Sequence, residues 1–338
     1  MSGMASTYRN FLILSQKNFT CTYLAQHCEP ITPNRLYNFL KESKFTPKDF
    51  WGRTKDEIRF SPNGCLIVDD TVLDKRHSKK IEGAFRQYSG NAHGLVVGIN
   101  VTVCLYYNPD LDECYILNYR IFDREKDGKT KLDHAADMFD SALERGVPFR
   151  NVLMDTWFGA KDFLLKIHRA GKIFIVPLKK NRKVNPDGPG GRYVRVEELA
   201  WTEAESASGK TVKIHGFPMD QTVKLFRIGA QDGSTDWIAT NGQACKSAQE
   251  IRKSNALRWK IEQFFREVKQ LTGVERCQCR DGRSQRNHIG LAFSAWAALK
   301  RIARSANVSV YRVKEAFCAQ WLALALAEPP TALRAMPL

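Results

Sequence analysis

Three short runs of apolar residues, two of which end in aspartate, constrain the fold of this chain more than any other feature. The runs are CLIVDD at residues 65–70, NVLMD at 151–155 and KIFIVPL at 172–178. Continuous apolar runs of this length are typical of strands that are buried on both faces of a sheet. The sequence therefore predicts a central sheet with carboxylates at the ends of two of its strands.

Two further strands and two helices are predicted between these runs. The segments GLVVGINVTVCLYY and ECYILNYRIFD are rich in β-branched and aromatic residues, and NPDLD between them is a turn signal. The segments KLDHAADMFDSALERG and WFGAKDFLLKIHRAG read as helices that are ended by glycine. The predicted order is β-β-β-α-β-α-β, and we expect the first three strands to form an antiparallel meander.

The charge of the chain indicates a polyanionic partner. Lys and Arg number 52 against 36 Asp and Glu, which gives a formal net charge of +16. Such a balance favours nucleic acid, although a basic protein without such a partner is the alternative. The apolar stretches are too short to span a bilayer and no signal peptide is recognisable, so we expect an intracellular protein without a membrane partner.

The cysteine pattern favours ordinary reduced thiols. The nine cysteines contain no C-x-x-C pair. A zinc site at Cys277, Cys279 and His288 is conceivable, but the spacing fits no common zinc finger.

The two strand-end acids are candidates for a metal site. If the strands that end at Asp70 and Asp155 are adjacent and parallel, both carboxylates emerge at the same edge of the sheet. Two carboxylates that close repel each other unless a cation lies between them, and the hard ion Mg²⁺ prefers oxygen ligands. The alternative is that each aspartate caps the turn or helix after it.

A third candidate acid lies on a basic amphipathic helix. In RWKIEQFFREVKQ, residues 258–270, the apolar positions are three and four residues apart, which predicts a helix packed on a core. Glu262 lies beside that apolar face, with Arg258 and Arg266 one turn away on either side and Lys269 two turns on. One interpretation is that these residues form i,i+4 ion pairs on a solvated helix face. The other is that Glu262 is a metal ligand and the basic residues around it bind phosphates.

The arrangement of these residues resembles that of insertion-sequence transposases of the DDE type. Asn255, Arg258, Glu262 and Lys269 form N-x2-R-x3-E-x6-K, which is similar to the family signature Y-x2-R-x3-E-x6-K. The D-D-T at residues 69–71 and the V-L-x-D ending at Asp155 resemble the segments that carry the first two acids of the family. The resemblance also includes RQYSGNAHG, PLKKNRKV and QRNHIGLAFSAW, and it covers about residues 60 to 300.

Two positions depart from the family pattern or leave it ambiguous. Asn255 replaces the signature tyrosine, so it can donate a hydrogen bond to DNA but cannot stack. Successive strand residues point to opposite faces, so Asp69 and Asp70 cannot both face the metal ions. The resemblance favours Asp70, which directly precedes Thr71.

The fold that the resemblance implies is an α/β, RNase H-like fold: a five-stranded mixed sheet flanked by helices. The expected organisation has a helical N-terminal region, either DNA-binding or a packing appendage, and a β-rich insertion before the last catalytic helix. The segments are 1–60 for the N-terminal region, 61–180 for the first catalytic part, 181–247 for the insertion, 248–305 for the catalytic helix and remaining catalytic part, and 306–338 for a C-terminal helix and loosely held tail.

The resemblance implies metal-dependent cleavage of DNA at element ends and strand transfer into target DNA. Asp70, Asp155 and Glu262 would hold two Mg²⁺ ions, which Mn²⁺ may replace. The expected partner is double-stranded DNA bound by a homodimer, in the bacterial cytoplasm and associated with the nucleoid. The expected DNA-binding residues are Asn255, Arg258, Arg266, Lys269, Lys179, Lys180, Arg182 and Lys183.

Other functions share parts of this pattern. A domesticated nuclease would keep the fold without strand transfer, and an RNA-directed hydrolase would act on a different nucleic acid. A transposase-derived regulator would bind DNA without turnover. Loss of an acid would support the regulator, and all three acids are present.

Overall fold

The computed structural model describes residues 3–77, 80–90, 92–123, 126–188, 190–229, 233–243, 245 and 247–327. They fall into two compact units. The helical unit consists of the described residues of Met1–Thr54, Val72–Ile99 and Phe264–Leu338, and the sheet unit consists of those of Lys55–Thr71 and Asn100–Gln263. The predicted C-terminal tail, residues 328–338, lies outside the described residues.

The secondary structure follows the predicted alternation closely. The helices are α1 (Gly3–Leu14), α2 (Cys21–Gln26), α3 (Pro33–Glu42), α4 (Pro47–Thr54), α5 (Lys131–Glu144), α6 (Lys161–Arg169), α7 (Glu203–Ser208), α8 (Ala248–Ala256), α9 (Trp259–Leu271), α10 (Gly282–Ser305) and α11 (Val310–Ala327). The strands are β1 (Cys65–Asp74), β2 (Phe85–Ser89), β3 (Gly94–Asn108), β4 (Glu113–Phe122), β5 (Asn151–Met154), β6 (Ile173–Leu178), β7 (Lys183–Asn185), β8 (Val194–Arg195), β9 (Lys210–Ile214), β10 (Val223–Gly229) and β11 (Thr235–Thr240).

The core of the sheet unit is a mixed sheet in the strand order β4-β3-β1-β5-β6. β1 pairs with β5 and β5 pairs with β6, both in parallel, whereas β3 and β4 are antiparallel. Ile67, Leu153 and Phe174 on the central strands are almost fully buried. This burial explains why these strands read as continuous apolar runs instead of alternating ones.

The β-rich insertion continues this sheet. The predicted strand-like runs TVKIHG, TVKLFRIG and DWIATN are confirmed as β9, β10 and β11. β11 pairs antiparallel with β6, and the order then runs β11-β10-β9-β7-β8. The sequence did not reveal this continuity. It covers the edge of β6, whose backbone groups would otherwise lack partners on that side.

The helical unit contains one strand that the predicted element order lacks. β2 pairs antiparallel with the first residues of β3, from Phe85 opposite Gly98 to Ser89 opposite Gly94. The segment FRQYS is short and partly exposed. It lacks both the apolar run and the clean alternation from which strands are predicted.

The helices of the helical unit pack around α10, which is buried along most of its length. The predicted helical character of the N-terminal region is confirmed by α1 to α4, and the predicted Thr cap of α3 is confirmed at Thr32. His288 is fully buried, with Tyr8 Oη 2.9 Å from Nδ1 and the Gly273 carbonyl 3.0 Å from Nε2. Both ring nitrogens therefore have protein partners, which argues against the conceivable zinc site at this histidine. None of the helices in the described ranges is long and apolar enough to cross a membrane.

A buried lysine fixes the ends of two helices in the helical unit. Lys314 is 5% exposed, and its Nζ donates to the carbonyls of Ile13 at 2.5 Å, Ser15 at 2.6 Å and Leu271 at 2.9 Å. Leu271 ends α9, and Ile13 lies in the last turn of α1. A cation is favourable here because the last carbonyls of a helix have no intrahelical donor and carry partial negative charge.

Candidate active site

The strands β1 and β5 bring two acids to one edge of the sheet unit. Their parallel pairing ends with Val68 opposite Met154, and the next residues along the two strands are Asp69 and Asp155. Matched positions on parallel neighbours point to the same face of a sheet. The adjacency that the sequence required is therefore present, and Asp69 is the residue level with Asp155. The prediction that the first strand ends at Asp70 is wrong, because β1 continues beyond its pairing with β5 as far as Asp74.

Asp155 has both of the roles that its sequence position suggested. The backbone N–H groups of Trp157 and Phe158 donate to its Oδ1 at 2.9 and 3.1 Å, so it caps the turn that follows β5. Burial nevertheless raises the pKa of Asp155, and the charge of Asp70 raises it further against these hydrogen bonds. The carboxylate is held in place but lacks full compensation of its charge.

Asp69 and Asp70 lie in different electrostatic environments. Asp70 Oδ2 accepts a hydrogen bond from Asn100 and forms an ion pair with Lys131 Nζ at 2.8 Å, so the protein already compensates this charge. The Oδ1 of Asp69 accepts a hydrogen bond from the backbone N–H of Asp70 at 2.8 Å, and no side chain in the described ranges compensates its charge by an ion pair. Burial raises the pKa of Asp69 well above its usual value, and the charges of Asp155 and Asp70 raise it further.

Glu262 lies in the first turn of α9, where it forms an ion pair with Arg258. Arg258 Nη1 lies 2.8 Å from Glu262 Oε1, and both side chains are partly buried, at 24% and 31% exposure. The predicted i,i+4 pair is thus confirmed. Arg258 also lowers the pKa values of Asp69 and Asp155, so its charge acts on the acids of the strands as well as on Glu262.

The donors at this edge suit a hard divalent cation. Asp69, Asp155 and Glu262 offer carboxylate oxygens. Burial raises the pKa values of the two aspartates most, and neighbouring carboxylates raise them further. Within the described ranges, no three acidic, imidazole or thiol groups already converge on one point. One carboxylate oxygen of Glu262 instead contacts the guanidinium of Arg258.

The predicted DNA-binding residues near α9 have different surroundings. Arg266 is exposed, and Asn255 at the end of α8 has a buried Oδ1 without a hydrogen-bond partner in the described structure. Lys269 is 16% exposed in its side chain, and its Nζ donates to the Val72 carbonyl at 2.8 Å and pairs with Glu275 at 3.1 Å. Lys269 therefore anchors α9 within the helical unit, a role that its place in the signature did not suggest.

The predicted basic loop after β6 forms part of a cavity beside the acids. Residues of the Asp155 turn, including Thr156 and Trp157, share this cavity of about 470 Å³ with the loop. Its basic lining residues are Lys161, Lys179, Arg182, Lys183 and His215, whereas Lys180 is exposed outside this lining. Arg182 Nε is buried and has no hydrogen-bond partner in the part of the chain that the structure describes, so an anionic ligand would satisfy it.

Sequence reasoning missed three residues of this site. Lys131 and Lys161 are the first residues of α5 and α6, and His215 directly follows β9 in the insertion. Lys131 also lies 5.4 Å from the ring of Trp157, which is 44% exposed beside the acids. Only the start of a helix after a strand end hinted at the two lysines, and no local signal marked His215.

Comparison with known proteins identifies the family. The profile of the transposase DDE domain matches residues 61–298, so the chain belongs to the transposase DDE domain family. A solved structure, the cryo-EM structure of a piggyBac transposase synaptic complex with hairpin DNA, is similar in fold. It has 10% sequence identity and a TM-score of 0.50, and the match covers 97% of this chain and 73% of that one. The comparison with curated proteins found no match.

The predicted family and the RNase H-like fold are confirmed. The protein is a DNA transposase, an enzyme that cleaves and joins DNA strands and depends on divalent metal ions.

Proposed function

We propose that this transposase binds Mg²⁺ through Asp69, Asp155 and Glu262, cleaves DNA at the ends of its element and transfers the freed strand to target DNA. The observation that carries the proposal is that Asp69 and Asp155 directly follow Val68 and Met154, the last paired residues of two adjacent parallel strands. The family resemblance favoured Asp70 as the first acid. We propose Asp69 instead, because Lys131 and Asn100 already compensate the charge of Asp70.

The acids and the residues around them would have different roles in the reaction. Bound Mg²⁺, or Mn²⁺ in its place, would activate the attacking water and stabilise charge on the leaving 3′ oxygen. The backbone N–H groups of Trp157 and Phe158 fix the orientation of Asp155. Asp70 holds Lys131 beside Trp157, where an ammonium group and an exposed ring can contact a DNA strand. The direct test is Mg²⁺-dependent cleavage of a duplex that carries the element end.

The DNA-binding surface that we propose surrounds the acid edge. Lys179, Lys180, Arg182 and Lys183 follow β6, whose parallel neighbour β5 ends at the acids. With Asn255, Arg258 and Arg266 they would bind phosphates largely without regard to sequence. Lys269 belongs to the predicted set, but its contacts with Val72 and Glu275 make its contribution to DNA binding smaller.

Neutralising the basic loop should weaken DNA binding and its dependence on salt. For the double variant Lys179→Gln/Lys183→Gln, we expect the slope of log K against log salt to fall by about 2, since each phosphate contact contributes about 0.9. The matched control is Arg150→Gln/Arg169→Gln, which removes two exposed charges before β5 and at the end of α6, away from the acids. Fluorescence anisotropy on an end duplex measures both. Equal slopes for the two variants would contradict this surface.

The remaining roles are proposals about organisation. We assign residues 61–180 and 248–305 to the catalytic domain, 181–247 to an insertion that supplies His215 to the basic cavity, and 306–338 to a C-terminal extension. The N-terminal helical region, residues 1–60, would also contact DNA. Since transposition pairs two element ends, the active species would be a homodimer on DNA, acting at the nucleoid in the bacterial cytoplasm.

A further inference from the structure

Arg258 is placed to hold Glu262 before any ligand binds. Its backbone is fixed at the junction of α8 and α9, where its N–H donates to the Asn255 carbonyl at 3.0 Å and its carbonyl accepts from Ile261 at 3.1 Å. From this position the side chain reaches one turn along α9 to Glu262 Oε1 at 2.8 Å. The contact between Arg258 and Glu262 therefore follows from their i,i+4 spacing at the start of α9.

The guanidinium acts on more than one acid. Its Nη1 contacts Glu262, and its charge offsets a part of the rise in the pKa values of Asp69 and Asp155 that burial causes. Its Nε is buried and lacks a hydrogen-bond partner among the described residues. One partly buried cation thus pairs with Glu262 while a part of its hydrogen-bonding capacity is unused among the described residues.

Arg258 and a divalent metal ion would compete for the same carboxylate, that of Glu262. A divalent ion bound by Asp69, Asp155 and Glu262 needs the carboxylate oxygens that Arg258 now neutralises. Like charges in a partly buried site repel more strongly than in bulk water. Arg258 and the metal ion cannot both keep their full interactions with Glu262.

We infer that Arg258 is a positioning residue that competes with the divalent cation for Glu262, and that Glu262 changes partner when cation and DNA bind together. The released guanidinium then offers its paired N–H groups to a DNA phosphate, for which its planar fork is suited. Arg258 thereby couples metal binding to the presence of DNA. This inference rests on the proposed function of the acid cluster.

Mn²⁺ binding to the DNA-free protein tests the competition. Isothermal titration with Mn²⁺ should give a dissociation constant about tenfold lower for Arg258→Gln than for the wild type, because a competing charge is removed. The control Arg252→Gln removes the same charge from an exposed position on α8, and it should leave the constant unchanged. Arg258→Lys keeps the charge and should stay close to the wild type.

The expected loss of DNA cleavage by Arg258→Gln, despite tighter Mn²⁺ binding, separates this role from simple structural damage. Arg258→Met keeps the aliphatic stem and serves as the second variant if Arg258→Gln misfolds by circular dichroism. Unchanged or weaker Mn²⁺ binding in the folded charge-removing variant overturns the inference, as does tighter binding by Arg258→Lys. Asp155→Asn distinguishes failure of this inference from failure of the proposed metal site. If Asp155→Asn retains full Mn²⁺ binding, the proposed metal site itself is wrong.

Discussion

Replacing Glu262 by glutamine should reduce DNA cleavage by about 1000-fold or more while leaving DNA binding nearly intact. The substitution keeps the size of the side chain and one oxygen acceptor, but it removes the negative charge that a divalent metal requires. Single-turnover cleavage of a labelled end duplex measures the rate, and anisotropy on the same duplex measures binding.

The result for Glu262 also separates two functions of its charge. If Glu262 only formed the ion pair with Arg258, its replacement would lower the stability of the protein slightly and leave the cleavage rate unchanged. An i,i+4 pair at a protein surface contributes only a few tenths of a kcal/mol to stability. The matched control is Glu250→Gln at an exposed position on α8, which should cleave at the wild-type rate. Wild-type cleavage by Glu262→Gln would return this residue to a structural role and remove it from the metal site.

The second large effect distinguishes the two neighbouring aspartates of β1. Asp69→Asn should abolish cleavage, again by about 1000-fold or more, because it removes the carboxylate level with Asp155. Asp70→Asn should lower the cleavage rate by about tenfold or less, since it loosens the contacts with Lys131 and Asn100 but leaves the carboxylate of Asp69 in place. Both variants can be compared in the same single-turnover assay, and the reverse order of rates would make Asp70 the first acid.

The variant that should lose cleavage, Asp69→Asn, should be more stable than the wild type, whereas Asp70→Asn should not. The pKa of Asp69 is raised in the folded protein, so the folded state binds more protons than the unfolded state between the unfolded and folded pKa values. This group therefore opposes folding increasingly as the pH rises through that window, and its charge is unfavourable at neutral pH. Asp69→Asn should raise the thermal midpoint at pH 7, whereas Asp70→Asn breaks an ion pair and should not. The gain for Asp69→Asn should disappear at a pH below both pKa values.

The elements that depend on local patterns could be predicted from the sequence. The apolar runs at β1, β5 and β6 identified central strands because burial on both faces leaves no polar positions in them. The spacing of Arg258 and Glu262 predicted their contact, since residues four apart on a helix are neighbours. The family could be recognised because its three acids lie in the expected order in the expected elements.

The details that depend on contacts distant in sequence could not be predicted. The surroundings of Asp69 and Asp70 differ through strand register and through Lys131, which is 61 residues away from Asp70. The pairing of β11 with β6 determines that His215 joins the basic cavity, and no local pattern contains this information. β2 escaped prediction because it pairs through backbone bonds with little apolar burial of its own.

The most direct test of the central claim is the cleavage product that the wild-type protein forms on a duplex carrying the element end and its flanking DNA. The proposed site predicts a cut strand with a free 3′-OH in Mg²⁺ or Mn²⁺, no cleavage in EDTA, and no protein covalently attached to the DNA. Cleavage that persists in EDTA, or a covalent protein–DNA product, would contradict a metal centre formed by Asp69, Asp155 and Glu262.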